Sequence, residues 1–158
     1  MGRPASDIPG VLAPPPLIYL GFLALGWGVG RLIDEPSLGL DRNLRGGVAL
    51  AGLLLGLVIE AWAAGLFQKA KTAVQPWKPS TALVTTGVYG FTRNPIYLGF
   101  AITYLALAIG LDSPLAIVLL IPCLLIVDRF VIQREERYLA ARFGADYEAY
   151  RRRVRRWV

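Results

Sequence analysis

Residues 94–127 read NPIYLGFAITYLALAIGLDSPLAIVLLIPCLLIV. Two uncharged apolar runs, about Ile96–Leu111 and Pro114–Val127, meet at the tight link Gly110-Leu111-Asp112-Ser113-Pro114. Each run opens on a helix-start signature: Asn94 then Pro95, and Ser113 then Pro114, pairing an N-cap residue with a proline at the first helical position. A link this short between two helices makes a helical hairpin. At 1.5 Å per residue the arms are short against the roughly 30 Å of bilayer hydrocarbon, so they just reach the far interface. Pro122 predicts a kink in the second arm.

Outward from the hairpin, two more apolar segments stand out, about Leu17–Ile33, opened by Pro14-Pro15-Pro16, and about Val48–Phe67. Both are long enough to cross a bilayer. The chain of 158 residues is 55% apolar and only 18% charged, and its mean hydropathy is +0.50. That composition belongs to a polytopic membrane protein. The expected fold is all-α, with four transmembrane segments, the C-terminal hairpin and a cytoplasmic helical extension. Residues 1–158 form one domain, in which residues 1–67 supply two membrane helices and residues 68–158 the part that carries chemistry.

The net charge of +6 follows the membrane rather than nucleic acid, because the excess lies beside apolar segments. The loop Arg31–Arg45 is balanced, while Gln68–Arg93 carries Lys69, Lys71, Lys78 and Arg93 with no acid. Nine arginines follow from Arg129 onward. Lys/Arg bias therefore places both termini and the central loop in the cytoplasm of a multi-pass, inner-membrane protein. Trp62, Trp77 and Trp157 then fall near the inner interface and Trp27 nearer the outer one. The arginine tail Arg151-Arg152-Arg153-Val154-Arg155-Arg156 anchors that interface and attracts anionic headgroups. The start Met1-Gly2-Arg3-Pro4-Ala5-Ser6 fits a loose myristoylation pattern, read as coincidence, and the first apolar run is read as a retained helix rather than a signal peptide. Gly26-x-x-x-Gly30 and Gly52-x-x-x-Gly56 offer close backbone packing in the first two helices.

No helix stop follows Val127. Residues 128–142 hold no Gly or Pro and are rich in good helix formers, so the fourth helix projects into the cytoplasm until Gly144 stops it. A short helix around Asp146–Arg156 follows.

The chemistry concentrates at the open end of the hairpin. There the stretch Thr86-Gly87-Val88-Tyr89-Gly90-Phe91-Thr92-Arg93-Asn94-Pro95-Ile96-Tyr97-Leu98-Gly99 meets Gln133-Arg134-Glu135-Glu136-Arg137-Tyr138-Leu139, because the start of one arm lies beside the end of the other. A helix N-terminus and Arg93 suit a carboxylate or phosphate. Glu135 or Glu136 suits ribose hydroxyls or an ammonium, and the faces of Tyr89 and Tyr97 suit a sulfonium. S-adenosylmethionine carries all of these groups. Singly, each residue has a plainer role: glycines as turns, Pro95 as a helix start, the glutamates as a solvated face. Their meeting on one end of one hairpin favours a site. The chain has no histidine and one cysteine, Cys123, inside an apolar run. Histidine-based triads and metal sites are thereby removed, and neither a metal nor nucleic acid is expected as a partner.

Leu83-Val84-Thr85-Thr86-Gly87-Val88-Tyr89, then Arg93-Asn94-Pro95-Ile96-Tyr97-Leu98-Gly99, then Glu135-Glu136-x-x-Leu139 with Phe143-Gly144-x-x-Tyr147-x-x-Tyr150, resemble the isoprenylcysteine carboxyl methyltransferase family, to which the phospholipid methyltransferases are related. The resemblance covers about residues 68–157. It implies an integral membrane methyltransferase that encloses S-adenosylmethionine on the cytoplasmic side and receives a lipophilic small molecule or lipid laterally from the membrane. By position, Leu83 and Val84 would line the cofactor pocket. Tyr89, Asn94, Pro95 and Tyr97 would pack on or hydrogen-bond the cofactor, and Glu135 would bind its polar groups. Gln75 is a further cofactor candidate, and Arg93, Glu135 and Glu136 are the catalytic candidates. Two departures stand out. The family's Arg-His-Pro is Arg93-Asn94-Pro95 here, and asparagine binds and caps but does not titrate. The substrate-contacting arginine of the prenylcysteine enzymes, four residues before the first glutamate, is Val131 here. The runner-up acceptor is therefore a phospholipid amine, whose proton Glu135 or Glu136 would take.

Glu60 lies within the second membrane segment, where an ionisable group is expensive. It pairs with a nearby Lys or Arg or sits at the interface beside Trp62; in a functional role it would orient the acceptor or Arg93. It also supports two competing readings. A small proton-coupled transporter would depend on Glu60 and give no role to Tyr89, Asn94 or Glu135, whereas a non-catalytic scaffold would depend on none of them.

Overall fold

The computed structural model describes residues 13–75 and 78–158. Helix α1 spans Pro15–Leu32 and α2 Arg42–Lys69; a short 3-10 turn, Gly87–Gly90, precedes α3, Pro95–Gly110. Helix α4, Pro114–Val127, runs through a π-helical segment, Asp128–Ile132, into α5, Gln133–Arg153. No strand occurs among the described residues. The myristoylation-like start and Trp77 lie outside them.

Among the described residues, two helices are long and apolar enough to cross a membrane: α2 and the 40-residue helical run Pro114–Arg153, which includes the Gly144 break. Helix α3 is apolar but shorter. In their most apolar windows only 11% and 28% of residues are buried, whereas the core helix of a soluble protein would bury most of its apolar surface. Leu50, Leu54, Leu55 and Val58 on α2 and Val118, Ile121 and Leu125 on α4 face outward, as lipid-facing positions do.

Helix α2 starts six residues before the expected Val48. The Asp41 carboxylate accepts from Asn43 N–H at 2.8 Å and Leu44 N–H at 3.2 Å, so the cap rather than the hydropathy edge sets the start. Ser113 caps α4 as its sequence suggests, accepting from Ala116 N–H at 3.3 Å. Glu35 joins that cap, accepting from Ser113 Oγ at 2.5 Å and from Leu115 N–H at 2.8 Å. Asp112 in the same turn accepts from Ser37 Oγ and Leu38 N–H and pairs with Arg45. The balanced first loop is therefore tied to the hairpin turn.

The glycine motifs pack helices closely, though not α1 on α2. Helix α2 lies along α3 and α1 along α4. A methyl group at Gly56 would come within 2.9 Å of the Gly99 carbonyl oxygen, and one at Gly26 within 2.5 Å of Ala116 Cα. Tyr19, Tyr97, Tyr104, Cys123, Val127, Val131 and Ile132 fill the space between α1, α3 and α4. Trp157 is half-buried against this cluster, so the last tryptophan packs inward as well as marking an interface.

The π segment follows Val127 directly; α4 also contains Pro122. A turn with i→i+5 bonds resets the angular register of everything beyond it. Gly144 takes φ 51°, ψ −122° inside α5. It breaks the helix where the sequence places its stop, and a second helical stretch runs on to Arg153.

Candidate functional site

One cavity of about 270 Å³ lies at the open end of the hairpin. The catalytic and cofactor candidates from the sequence line it, Gln75, Leu83, Val84, Tyr89, Arg93, Asn94, Pro95, Tyr97, Glu135 and Glu136, and Glu60 does not. Its wall also includes Pro15, Pro16, Phe67, Phe100, Tyr138, Leu139, Tyr147 and Tyr150. The contribution of α1 and of Phe67 had no sequence signal, since an apolar residue at a helix end gives no hint of which cavity it borders. The other wall residues follow from motif neighbours already quoted.

Several of the lining side chains have an identifiable support. Tyr97, in the first turn of α3, donates its hydroxyl to Glu135 Oε1 at 2.7 Å. Tyr89 is buried in the 3-10 turn against Phe67, with ring centroids 5.3 Å apart. Its carbonyl accepts from Tyr150 Oη at 2.8 Å. Tyr138 Oη accepts from Ser80 N–H at 2.9 Å, which fastens the central loop to α5. Gly87, with φ 60°, opens the 3-10 turn in the left-handed region, where glycine is favoured.

The two glutamates differ sharply. Glu136 is saturated by cations: it accepts from Arg93 Nη2 at 2.7 Å, and Arg156 reaches both its oxygens, at 3.1 Å from Nε and 2.6 Å from Nη2. Glu135 is half-buried and has no cation partner among these contacts; it accepts from the Tyr97 hydroxyl. It lies beyond the apolar span, which the charged segment from Asp128 onward terminates. Burial pushes its carboxyl up to about 7, the nearby Glu136 charge adds to this, and the Tyr97 hydroxyl opposes it. Burial likewise raises the Tyr89 phenol, and raises that of Tyr147 to about 12.

Arg93 and Asn94 depart from expectation. The Arg93 charge is neutralised by Glu136, and its Nη1 donates to the carbonyls of Arg151 at 3.0 Å and Val154 at 3.2 Å. Its Nε–H is buried with no protein partner. Asn94 holds the N-cap position of α3, but its side chain does not cap; Nδ2 donates to the Arg156 carbonyl at 2.9 Å. The α3 N-terminus thus keeps uncapped N–H groups. Glu60 is not placed against Arg93 and, among the described residues, pairs with neither Lys nor Arg; it accepts from Thr103 Oγ1 of α3 at 3.0 Å.

Comparison with known proteins supplies the family. Residues 44–146 match the model of the phospholipid methyltransferases. The chain belongs to the phospholipid methyltransferase family. It is 39% identical to the protein-S-isoprenylcysteine O-methyltransferase of Schizosaccharomyces pombe over 75 residues, 46% of this chain and 30% of that protein. The corresponding Saccharomyces cerevisiae enzyme matches at 39% over 72 residues, again 46% of this chain and 30% of that protein. The chain thus spans about a third of the length of these fungal relatives. An uncharacterized protein of Haemophilus influenzae is 38% identical over 63 residues, 40% of this chain and the whole of that protein. Family and named relatives together indicate a membrane methyltransferase, as the sequence motifs imply.

Proposed function

We propose that this chain is an integral membrane methyltransferase that uses S-adenosylmethionine and acts on a lipophilic acceptor. In this reading residues 1–158 form one domain with four membrane segments, both termini lie in the cytoplasm of an inner-membrane protein, and the cavity faces that side. The observation that carries the reading is the gathering, around one cavity, of the half-buried carboxylate Glu135, held by the Tyr97 hydroxyl, and the uncapped start of α3. Free N–H groups at a helix start favour an anionic ligand group. The α3 N-terminus fits the carboxylate of the cofactor, Glu135 fits its cationic part, and Leu83, Val84, Tyr89 and Tyr97 fit its apolar and aromatic surfaces.

Bound there, S-adenosylmethionine would supply an electrophilic methyl group on sulfur. The chain's own contribution is alignment and exclusion of water. The tyrosine wall shields the reacting centre, and Tyr97 fixes Glu135. An amine acceptor is favoured over a carboxylate by two observations. Val131 is buried in the core where the prenylcysteine enzymes have an arginine, and the cation lining the cavity, Arg93, is already paired. With its carboxyl near 7, Glu135 takes the proton that an ammonium must lose before its nitrogen attacks.

Calorimetry with S-adenosylhomocysteine on the detergent-purified chain tests the reading. Binding is expected, and Tyr89→Ala and Glu135→Ala should weaken it at least ten-fold. Absence of binding at millimolar ligand would sink the proposal.

A further inference from the structure

The last residues of the chain are built into the cavity wall from behind. Val154 leaves the helix with φ −119°, ψ 131°, and the extended segment passes beneath the start of α3. Three successive carbonyls are used there. That of Val154 accepts from Arg93 Nη1, that of Arg155 from Arg93 N–H at 2.9 Å, and that of Arg156 from both Thr92 Oγ1 at 3.0 Å and Asn94 Nδ2 at 2.9 Å. The Arg156 side chain then turns to α5 and the π segment. It grips both oxygens of Glu136 and reaches Asp128 at 3.2 Å. Arg156 does not line the cavity, yet it holds two residues that do, Asn94 and Glu136.

We propose that Arg156 is a positioning residue of this site: by clamping Glu136 against Arg93 and tethering Asn94, it leaves Glu135 as the carboxylate available to a cationic ligand. The idea rests on the methyltransferase reading for the nature of that ligand. The physical logic is independent of it. Glu136 lies next to Glu135, and two carboxylates at one site compete for charge. With two guanidiniums on Glu136, its charge is balanced, so a cationic ligand has one carboxylate to meet. A planar guanidinium can hold Glu136 through two nitrogens while a third faces Asp128; an ammonium cannot reproduce that fork.

Charged and titratable groups facing Glu135 are Glu136 on α5, Tyr97 on α3 and Tyr89 in the 3-10 turn. Removing Arg156 exposes Glu135 to more of the Glu136 charge. The pH midpoint of ligand binding should then move to higher pH.

Three full-length variants decide the matter: Arg156→Ala, Arg156→Lys, and Arg152→Ala, which removes the same charge from an exposed position nearby. Hydrogen exchange should accelerate in Arg156→Ala across residues 86–97 and 128–139 and stay unchanged across 30–45 and 110–116. S-adenosylhomocysteine affinity should fall at least ten-fold, with the midpoint of its pH profile displaced upward. Arg156→Lys should fold and restore part of both, and covers the case in which Arg156→Ala does not fold. Arg152→Ala should match the parent chain. Unchanged exchange in the Arg156 variants would overturn the proposal. So would faster exchange with unaltered affinity and pH midpoint, which would make the tail a structural support only. If the parent chain binds no S-adenosylhomocysteine, the methyltransferase reading fails, and the exchange arm still decides whether Arg156 positions the site.

Discussion

The two ends of the α3–α4 hairpin both carry polar clusters, and they are satisfied to different degrees. At the turn, Glu35 and Asp112 have all four carboxylate oxygens occupied, by Ser113, Leu115 N–H, Leu38 N–H, Ser37 and Arg45. At the open end, Glu136 is equally saturated, but Glu135 is held by the Tyr97 hydroxyl and Arg93 keeps a buried orphan donor. A fully paired polar cluster fixes a fold. One that leaves a carboxylate beside a cavity without a cation has capacity for a cationic ligand. Glycines and tight turns occur at both ends; the carboxylate without a cation sets the open end apart.

The sharpest way to break this contrast is Glu136→Ala. It leaves Arg93, whose side chain is only 10% exposed, without its ion-pair partner, and leaves Arg156 with Asp128 alone. Breaking a buried ion pair from one side costs about 3 kcal/mol or more. Thermal unfolding in detergent should show a large loss of stability, accompanied by loss of S-adenosylhomocysteine binding. Coupled loss is the signature of the open end.

Glu35→Ala probes the opposite end. It strips the acceptor from Ser113 Oγ and Leu115 N–H at the start of α4, which costs about 1–3 kcal/mol. Cofactor binding in the remaining folded protein should match the parent chain within a factor of two. A loss of affinity comparable to that of Glu136→Ala would erase the distinction between the ends.

The next effect is smaller and carries a pH signature. Glu135→Gln keeps the shape and removes the charge, so affinity for S-adenosylhomocysteine should fall about ten-fold at pH 8, where the parent carboxyl, near 7, is ionised. The stability effect has the opposite sign. The folded carboxyl titrates above its unfolded value of about 4.3, so the folded state holds its proton more tightly. That contribution is complete below about pH 4 and is lost as pH rises to 7. Glu135→Gln should therefore lose less stability than the parent chain between pH 5 and 8, measured by unfolding at each pH.

The sequence exposes these features unevenly. Helix identity and the hairpin were legible because apolar length, Asn94-Pro95 and Ser113-Pro114 are local signals. The part of the cavity wall from α3 and α5 was legible because topology alone brings the start of α3 to the end of α4; the part from α1 and Phe67 was not. The partners inside the wall were not. That Glu136 rather than Glu135 would take both arginines has no local sequence code: a π turn at Asp128–Ile132 lies between the apolar helix and these residues, and one of the arginines comes from the tail. That Asn94 would bind the Arg156 carbonyl rather than cap its own helix depends on an extended tail 62 residues away in sequence. The helix pairing set by Gly26 and Gly56 was equally hidden, since a small residue permits close approach without naming the neighbour.

Glu60→Gln should do least. Thr103 Oγ1 donates to Glu60 Oε1 across the α2–α3 seam, and a glutamine carbonyl accepts that bond equally well. The residue lies outside the cavity wall, and the glycines beside it, Gly56 and Gly99, let the two helices close around it. Expected stability changes are within about 0.5 kcal/mol, and S-adenosylhomocysteine affinity should be unchanged within a factor of two. A proton-coupled transporter predicts the reverse ranking, with Glu60 essential and Glu135 neutral. Measuring both variants for ligand binding and for proton uptake in vesicles therefore separates the two readings, because an amide in place of Glu60 keeps the bond to Thr103, whereas an amide in place of Glu135 removes the charge beside the cavity.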